Sequence, residues 1–294
     1  AALFIPALGA ALGLGFAAKG PIAVILPGLA IVALAWHRRR ERWPIAWGPA
    51  LAAAAIFAVL AFGWFVAVYL RMGAEPLRWF FLRENLQRFS GASYDADRSP
   101  FFYLATYLAQ GAPWSLFLPM ALWRVWRRQP GPGTAWLPLA LLLMLVPLGA
   151  SRGKIDYYLL PLYPLAAVLI GELFAATWDR PVRIWCRAVG LLAGSATLLA
   201  SGLVAIQLPR EWLPATEWRY ATAAVAIASG IGLLLAAWRP TPLRVAWASA
   251  VPTVVLFGRF LYVWAPAFHS RQPHRAIVAR VVSELAEAPD ARLA

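Results

Sequence analysis

Nine stretches of this chain are too apolar to face water, at about 2–18, 21–36, 46–70, 101–123, 135–150, 157–176, 187–207, 220–238 and 244–264. Several fall short of the ~20 residues that cross a bilayer at right angles. Lipid offers the backbone no hydrogen-bond partners, and the runs lack the two-residue alternation of barrel strands, so each is read as a helix. The expected fold is an all-α integral membrane protein of about nine transmembrane helices over residues 1–265, with a long loop at 71–100. Residues 266–294 are expected to begin a segment outside the membrane.

Composition agrees. Hydrophobic residues make up 62% of the chain and charged ones 14%, with a mean hydropathy of +0.64, whereas a soluble domain is about a quarter charged. Many of the 16 tryptophans, including Trp36, Trp43, Trp47, Trp123, Trp126, Trp178, Trp185, Trp238 and Trp264, stand near the ends of apolar runs, where an amphipathic ring suits the membrane interface. The net charge of +14 would suggest nucleic acid in a soluble protein, but here the basic residues gather in short loops. Nucleic acid is therefore not an expected partner; membrane lipids are.

Those basic residues also orient the chain. One alternate set of loops (37–43, 124–134, 179–187 and 239–244) carries twelve basic residues against two acids, Glu41 and Asp179. The other set (71–100, 151–156 and 209–219) carries nine against seven acids over a greater length. Lysine and arginine accumulate on the cytoplasmic side, so the first set is placed there. Lys19, the 71–100 loop and the tail then fall outside. A lone cysteine, Cys186, forms no internal disulfide, and there is no Cys/His cluster with metal-ligand spacing. The sequence begins within an apolar run without Met or a basic leader, which reads as a cut with membrane segments upstream.

The 71–100 loop stands out by length, because structureless loops beyond ~12–15 residues are uncommon. Leu77, Phe80, Phe81, Glu84, Arg88 and Phe89 recur at helical spacing in it, with Trp79 beside them. An amphipathic helix on the outer membrane surface is predicted, followed by a turn-rich polar stretch, GASYDADRSP.

Three constellations on this outer face could carry chemistry. Ala18-Lys19-Gly20-Pro21 joins two apolar runs; it is either a helix break with a snorkelling lysine or a cation held to meet a lipid phosphate. Glu84 and Arg88 lie four apart on the loop helix, as a surface ion pair or as an arginine oriented to grip an anion. Ser151-Arg152-Gly153-Lys154-Ile155-Asp156-Tyr157-Tyr158 opens a helix with two cations and two tyrosines. Snorkelling again competes with phosphate and sugar contacts.

In this order, and with PWSLFLP at 113–119 between the second and third, these segments resemble the bacterial lipid-linked glycosyltransferases of the C superfamily. The protein O-mannosyltransferases and, more closely, the aminoarabinose transferases that modify lipid A carry a KGP turn, an FF..EH..RF loop helix, a PW..LLP helix and an S.GKL.TY.L helix start. The resemblance spans about residues 1–265. It implies an inverting transferase that moves a sugar from an undecaprenyl-phosphate donor to a lipid or protein acceptor at the periplasmic face of the inner membrane. Donor and acceptor are its implied partners; beyond that donor no cofactor follows, and no metal is assigned. Motif by motif, Lys19, Glu84, Arg88, Lys154 and Tyr158 occupy matching positions, which implies cations on the lipid phosphate and orienting roles for the others. Asn85 stands where the aminoarabinose transferases usually have His, so a role carried by that His is not available. Asp156 replaces the Pro usual before a Thr-Tyr pair, pointing to the wider superfamily rather than that subfamily. The catalytic carboxylate of such enzymes lies in the first outer loop, upstream of residue 1, so this chain alone is expected to be inactive. None of Glu75, Glu84, Asp95, Asp97, Asp156, Glu211 and Glu217 is read as a substitute.

Two other classes fit many helices: a transporter or lipid flippase, for which Gly- and Pro-broken helices are equally expected, and a non-enzymatic scaffold. Against transport stand the lack of a clear inverted repeat and the scarcity of ionisable residues at mid-span, Glu172 and Arg259 lying near helix ends or in doubtful places.

Overall fold

A computed structural model describes residues 4–39, 46–90, 98–127, 133–176, 178–207 and 216–259, with 261, 278, 280 and 283 besides. Asp95, Asp97, Glu211 and nearly all of the 266–294 segment lie outside the described residues. The regular elements among the described residues are all helices, without strands, as the backbone's need for internal hydrogen bonds in lipid requires. The chain separates into two compact units, Ala1–Leu173 and Phe174–Ala294.

The first unit opens with α1 (Phe4–Lys19), α2 (Ile22–His37) and α3 (Trp47–Met72). Gly9 and Gly13 let α1 approach α3 closely: a Cβ on Gly9 would overlap the Ala53 backbone, and one on Gly13 would stand 3.0 Å from Leu60 Cβ. Small residues at such contacts give membrane helices the van der Waals packing that replaces a hydrophobic driving force. Helix α3, with 26 residues, is long and apolar enough to span, whereas α1 and α2 have 16 each and rise about 24 Å.

The predicted outer-loop helix is present but wound differently. A short α4 (Glu75–Arg78) leads into a π-helical stretch, Trp79–Gln87, and ends in α5 (Arg88–Ser90). The wider winding shifts the buried positions to a four-residue period: Pro76, Leu77, Phe80, Phe81, Glu84 and Asn85 are partly buried, while Trp79, Leu82, Arg83 and Leu86 face out. Phe89, expected on the inner face, is exposed. Phe80 and Phe81 dock the loop against Phe65 of α3, with ring centroids at 5.3 and 4.9 Å, and Phe81 reaches Phe16 of α1 at 6.3 Å.

The apolar run at 101–123 is not one helix. It divides into α6 (Phe102–Gln110), a 3₁₀ turn (Trp114–Phe117) and α7 (Leu118–Trp126). Pro113 has no amide to continue the ladder, and Ser115 takes over the broken turn, its Oγ donating to Leu108 O at 3.0 Å and its N to Gly111 O at 2.8 Å. Helix α8 (Leu137–Ala150) packs beside α2. A 3₁₀ segment (Asp156–Leu162) then continues directly into α9 (Tyr163–Ala175).

In the second unit, α10 (Arg180–Gln207) and α11 (Thr216–Trp238) cross at Gly194 and Gly230, and α12 (Pro242–Arg259) packs on α11. With α3, the stretches Asp156–Ala175, Arg180–Ser201 and Tyr220–Trp238 are long and apolar enough to cross a membrane.

Phe81 touches Phe16, Phe65 and Phe80, and aromatic pairs of this kind are worth about 0.5–1.5 kcal/mol each. Phe81→Ala is expected to free the loop helix, accelerating tryptic cleavage at the exposed Arg78 and Arg83 by about tenfold. Unchanged cleavage kinetics would show that the aromatic cluster does not hold this helix.

Candidate functional site

The three constellations, separated by up to 138 residues, meet at one end of the first unit. The first is shaped by Gly20, which ends α1 in the left-handed region at φ +77° and donates its N–H to Phe16 O at 2.8 Å. Glycine adopts this conformation without penalty. Pro21, with φ −55°, then starts α2, its ring already set for a helical first turn. The two helices thus fold back sharply, and Lys19 projects from the corner.

Asn85 sits directly on that corner. A Cβ on Gly20 would lie 2.9 Å from Asn85 Oδ1 and 3.0 Å from Nδ2. The same amide donates to Phe80 O, five residues back, at 2.8 Å, which matches the i to i+5 spacing of the π turn. Asn85, singled out in the sequence only as a departure from histidine, therefore serves as a contact between loop helix and turn.

The third constellation closes the site from the other side. Arg152 N donates to Phe89 O at 3.1 Å, joining the 151–156 segment to the end of the loop helix. Asp156 Oδ1 accepts from Tyr157 N at 2.9 Å, and Oδ2 from Gln110 Nε2 at 3.1 Å. Tyr103 Oη accepts from Ile155 N at 3.4 Å. Helix α6 thus contacts two consecutive residues at the base of the tyrosine pair.

Lys19 meets that pair. Its Nζ donates to Tyr157 Oη at 3.3 Å and lies 4.6 Å from the Tyr157 ring centroid and 5.1 Å from that of Tyr158. The two rings are edge to face, 5.2 Å apart. Beside them opens a cavity of about 330 Å³, lined by Glu84, Asn85, Ser151 and Tyr158 among apolar side chains including Phe81 and Phe89.

Of the five residues singled out in the sequence, Glu84 and Tyr158 line this cavity, and Lys19 stands against the Tyr158 ring. The backbone of Arg88 starts the last turn of the loop helix; its side chain lies outside the described residues. Lys154 has a different partner. It is 5% exposed, and its Nζ donates to Arg98 O at 3.3 Å. Tyr157 belongs to the tyrosine pair already noted in the sequence, whereas Gln110 and Tyr103 were not singled out. The doubled tyrosine was a visible signal for Tyr157, whereas nothing local marks Gln110 or Tyr103 as partners of residues about fifty positions away.

Fold and site together define a polytopic helical membrane protein with a largely apolar cavity, bearing Glu84, Asn85, Ser151 and Tyr158, where the loop helix meets the helix ends. No family model matches the chain. It is 37% identical over 213 residues to the undecaprenyl phosphate-alpha-4-amino-4-deoxy-L-arabinose arabinosyl transferase 2 of Pseudomonas fluorescens, covering 69% of this chain and 37% of that one. To the corresponding transferase of Pseudomonas paraeruginosa it is 33% identical over 243 residues, or 82% and 43% of the two chains. To transferase 1 of Pseudomonas fluorescens it is 31% identical over 282 residues, 92% and 48%. Among solved structures, ArnT from Cupriavidus metallidurans bound to undecaprenyl phosphate shares the fold with a TM-score of 0.62 at 22% identity, over 83% of this chain and 45% of that one. The homologues of this chain are thus undecaprenyl phosphate-aminoarabinose arabinosyl transferases, and its fold is that of ArnT. It spans less than half the length of each of these relatives.

Gly20→Ala would put a Cβ on the Asn85 amide and a non-glycine residue in the left-handed region, a combination expected to cost about 1–3 kcal/mol. Gly63→Ala, in α3 with open space around its Cβ, is the control. A melting temperature in detergent lowered by Gly20→Ala alone is the expected result; equal temperatures would refute the tight seat.

Proposed function

We propose that this chain belongs to an enzyme that transfers a sugar from undecaprenyl phosphate to a lipid acceptor, at the outer face of the bacterial inner membrane. The observation that carries the reading is the convergence of the turn, the loop helix and the tyrosine segment on one cavity beside Lys19. Homology to the aminoarabinose transferases supports the same donor class.

In this reading, the acceptor hydroxyl attacks the anomeric carbon from the face opposite the lipid phosphate, which leaves with inversion. Charge grows on the departing phosphate oxygens, and cations placed in advance lower the barrier most because they need not reorganise. Lys19 and Arg88 are assigned to that phosphate. Glu84 and Tyr158, on the cavity wall, orient the sugar and the cations. Lys154, already bonded to Arg98 O, braces the end of the outer loop. The apolar space between α6, α7, α8 and α9, about 530 Å³ and lined by Leu104, Leu118, Leu141 and Leu162 among others, suits a hydrocarbon chain.

A charge-assisted hydrogen bond contributes roughly 1.5–3 kcal/mol, so Lys19→Ala and Arg88→Ala are each expected to weaken undecaprenyl phosphate binding by about tenfold or more. Because both would touch one anion, their effects should be non-additive. Titration of the lipid into nanodisc-embedded protein measures this; wild-type affinity in both variants would remove the phosphate from this site.

The orientation rests on loop charge and is tested separately. Cys186 is buried, so background labelling is low. Ser99→Cys should react with an impermeant maleimide in intact cells, and Arg39→Cys only after permeabilisation. The opposite pattern would invert the topology and place the cavity in the cytoplasm.

A further inference from the structure

At the end of the first unit away from the cavity, two helices finish in the same way. After α2, Arg39 N donates to Trp36 O at 3.4 Å. The guanidinium folds back with it, Nη1 donating to the same carbonyl at 3.0 Å and Cζ lying 5.0 Å from the Trp36 ring centroid. After α7, Arg127 N donates to Trp123 O at 2.9 Å, and Arg127 Cζ lies 5.5 Å from the Trp123 ring centroid. Both arginines are exposed. A guanidinium laid on an indole is fixed in its plane, and the donors of its fork that are not used on Trp36 O can serve a planar, bidentate acceptor.

The two ends flank a third helix. Pro21, Ile22 and Ile25 at the start of α2 share the cavity wall with Pro147, Leu148 and Ser151 at the end of α8, and the two helices pack side by side, so they run antiparallel. Their 16 and 14 residues rise about 24 and 21 Å, which brings the amino end of α8 level with Arg39. Helix α7 borders the larger apolar space together with α8, through Leu122 and Pro138. The first turn of α8 contains no acid, so its dipole adds positive potential between the two arginines. By sequence, the segments 37–43 and 124–134 hold seven arginines against one acid, Glu41; Arg40, Glu41, Arg42 and Arg128 lie outside the described residues. Toward the middle of the helices, Ile31 and Val32 of α2 and Leu142 and Val146 of α8 are exposed, an apolar surface that suits acyl chains.

Orienting a chain in a membrane needs only charge. Stacking each guanidinium on a tryptophan, on both sides of one helix start and above apolar side chains, is a more specific arrangement. We propose that the Arg39–Trp36 and Arg127–Trp123 pairs form a site for the headgroup of an anionic glycerophospholipid, at the end of the unit opposite the cavity. The phosphodiester supplies the planar pair of acceptor oxygens that the fork matches, and basic clusters beside membrane helices draw net-negative headgroups. The site is independent of the donor reading, since it shares no residue with the cavity.

The full chain in detergent is titrated with phosphatidylglycerol or phosphatidylcholine of the same acyl chains, and bound lipid is counted by native mass spectrometry. The wild type is expected to retain phosphatidylglycerol at about tenfold lower concentration. Arg39→Gln with Arg127→Gln should bring the two lipids to within about twofold. Arg39→Lys with Arg127→Lys keeps the charge but loses the planar fork, and should lower the ratio to about threefold. The control, Arg71→Gln with Arg78→Gln, removes the same charge at the other end of the unit and should leave the ratio unchanged. Equal retention of the two lipids by the wild type, an undiminished ratio in the glutamine or the lysine pair, or an equal loss in the control would overturn the site and leave diffuse positive charge in its place. Inorganic phosphate bound in place of lipid when both are offered would assign the arginines to the free ion and overturn the lipid headgroup.

Discussion

A backbone in lipid must satisfy its own hydrogen bonds, and this constraint determines where the chain can depart from regular helix. Irregular backbone is tolerated at membrane depth only where protein or water supplies partners. Around the cavity the departures cluster: the left-handed Gly20, the π turn of Trp79–Gln87 and the extended segment before Asp156. Each has its partners supplied. Gly20 is bonded to Phe16 O, Asn85 adds a side-chain donor to Phe80 O, and Arg152 N reaches Phe89 O. Two of these bonds close within their own helix, and the third, from Arg152 to Phe89, joins two motifs.

The π winding has a further effect. With more residues per turn than an α-helix, it brings Phe80 and Phe81, then Glu84 and Asn85, onto one inward edge. The phenylalanines anchor that edge on α1 and α3, and the next turn delivers a carboxylate to the cavity and an amide to Gly20. An ideal α-helix would drift about 40° over each four-residue step, separating anchor from delivery. Hydrophobic docking and polar placement thus depend on the same local distortion, and π turns are frequent at functional positions for such reasons.

Much of this was legible in the sequence, for reasons that differ between elements. Long apolar runs have few alternatives to helices, so α3, α10 and α11 follow from hydropathy. The break in the 101–123 run was not read, although Gly111 and Pro113 were visible, because an average over twenty residues hides two breakers. The amphipathic loop was legible from its apolar spacing, but its winding was not: the 3.6-residue period put Phe89 inward, and the actual four-residue period leaves it exposed. At the site, Lys19, Glu84 and Tyr158 carried motif signals, and the structure gathers them. Asn85 was noted for the histidine it replaces, and its contact with Gly20 depends on a meeting of segments 65 residues apart. Gln110 and Tyr103 had no signal, since their partners are set by tertiary packing alone.

The two lysines show why position in a motif does not determine role. Lys19 and Lys154 both flank apolar helices on the side assigned as outer, and both were natural candidates for an anion. Lys154 is enclosed, and its ammonium bonds a backbone carbonyl at 3.3 Å, the same length as the bond from Lys19 to Tyr157 Oη, so burial and not bond length separates the two. Lys19 is exposed, stands at a turn rigidified by Gly20 and Pro21, and is held by contacts weak enough to exchange. A cation that must meet an incoming anion needs a fixed origin and a loose tip. In Lys19 the KGP corner supplies the first and the contacts with the tyrosine pair the second.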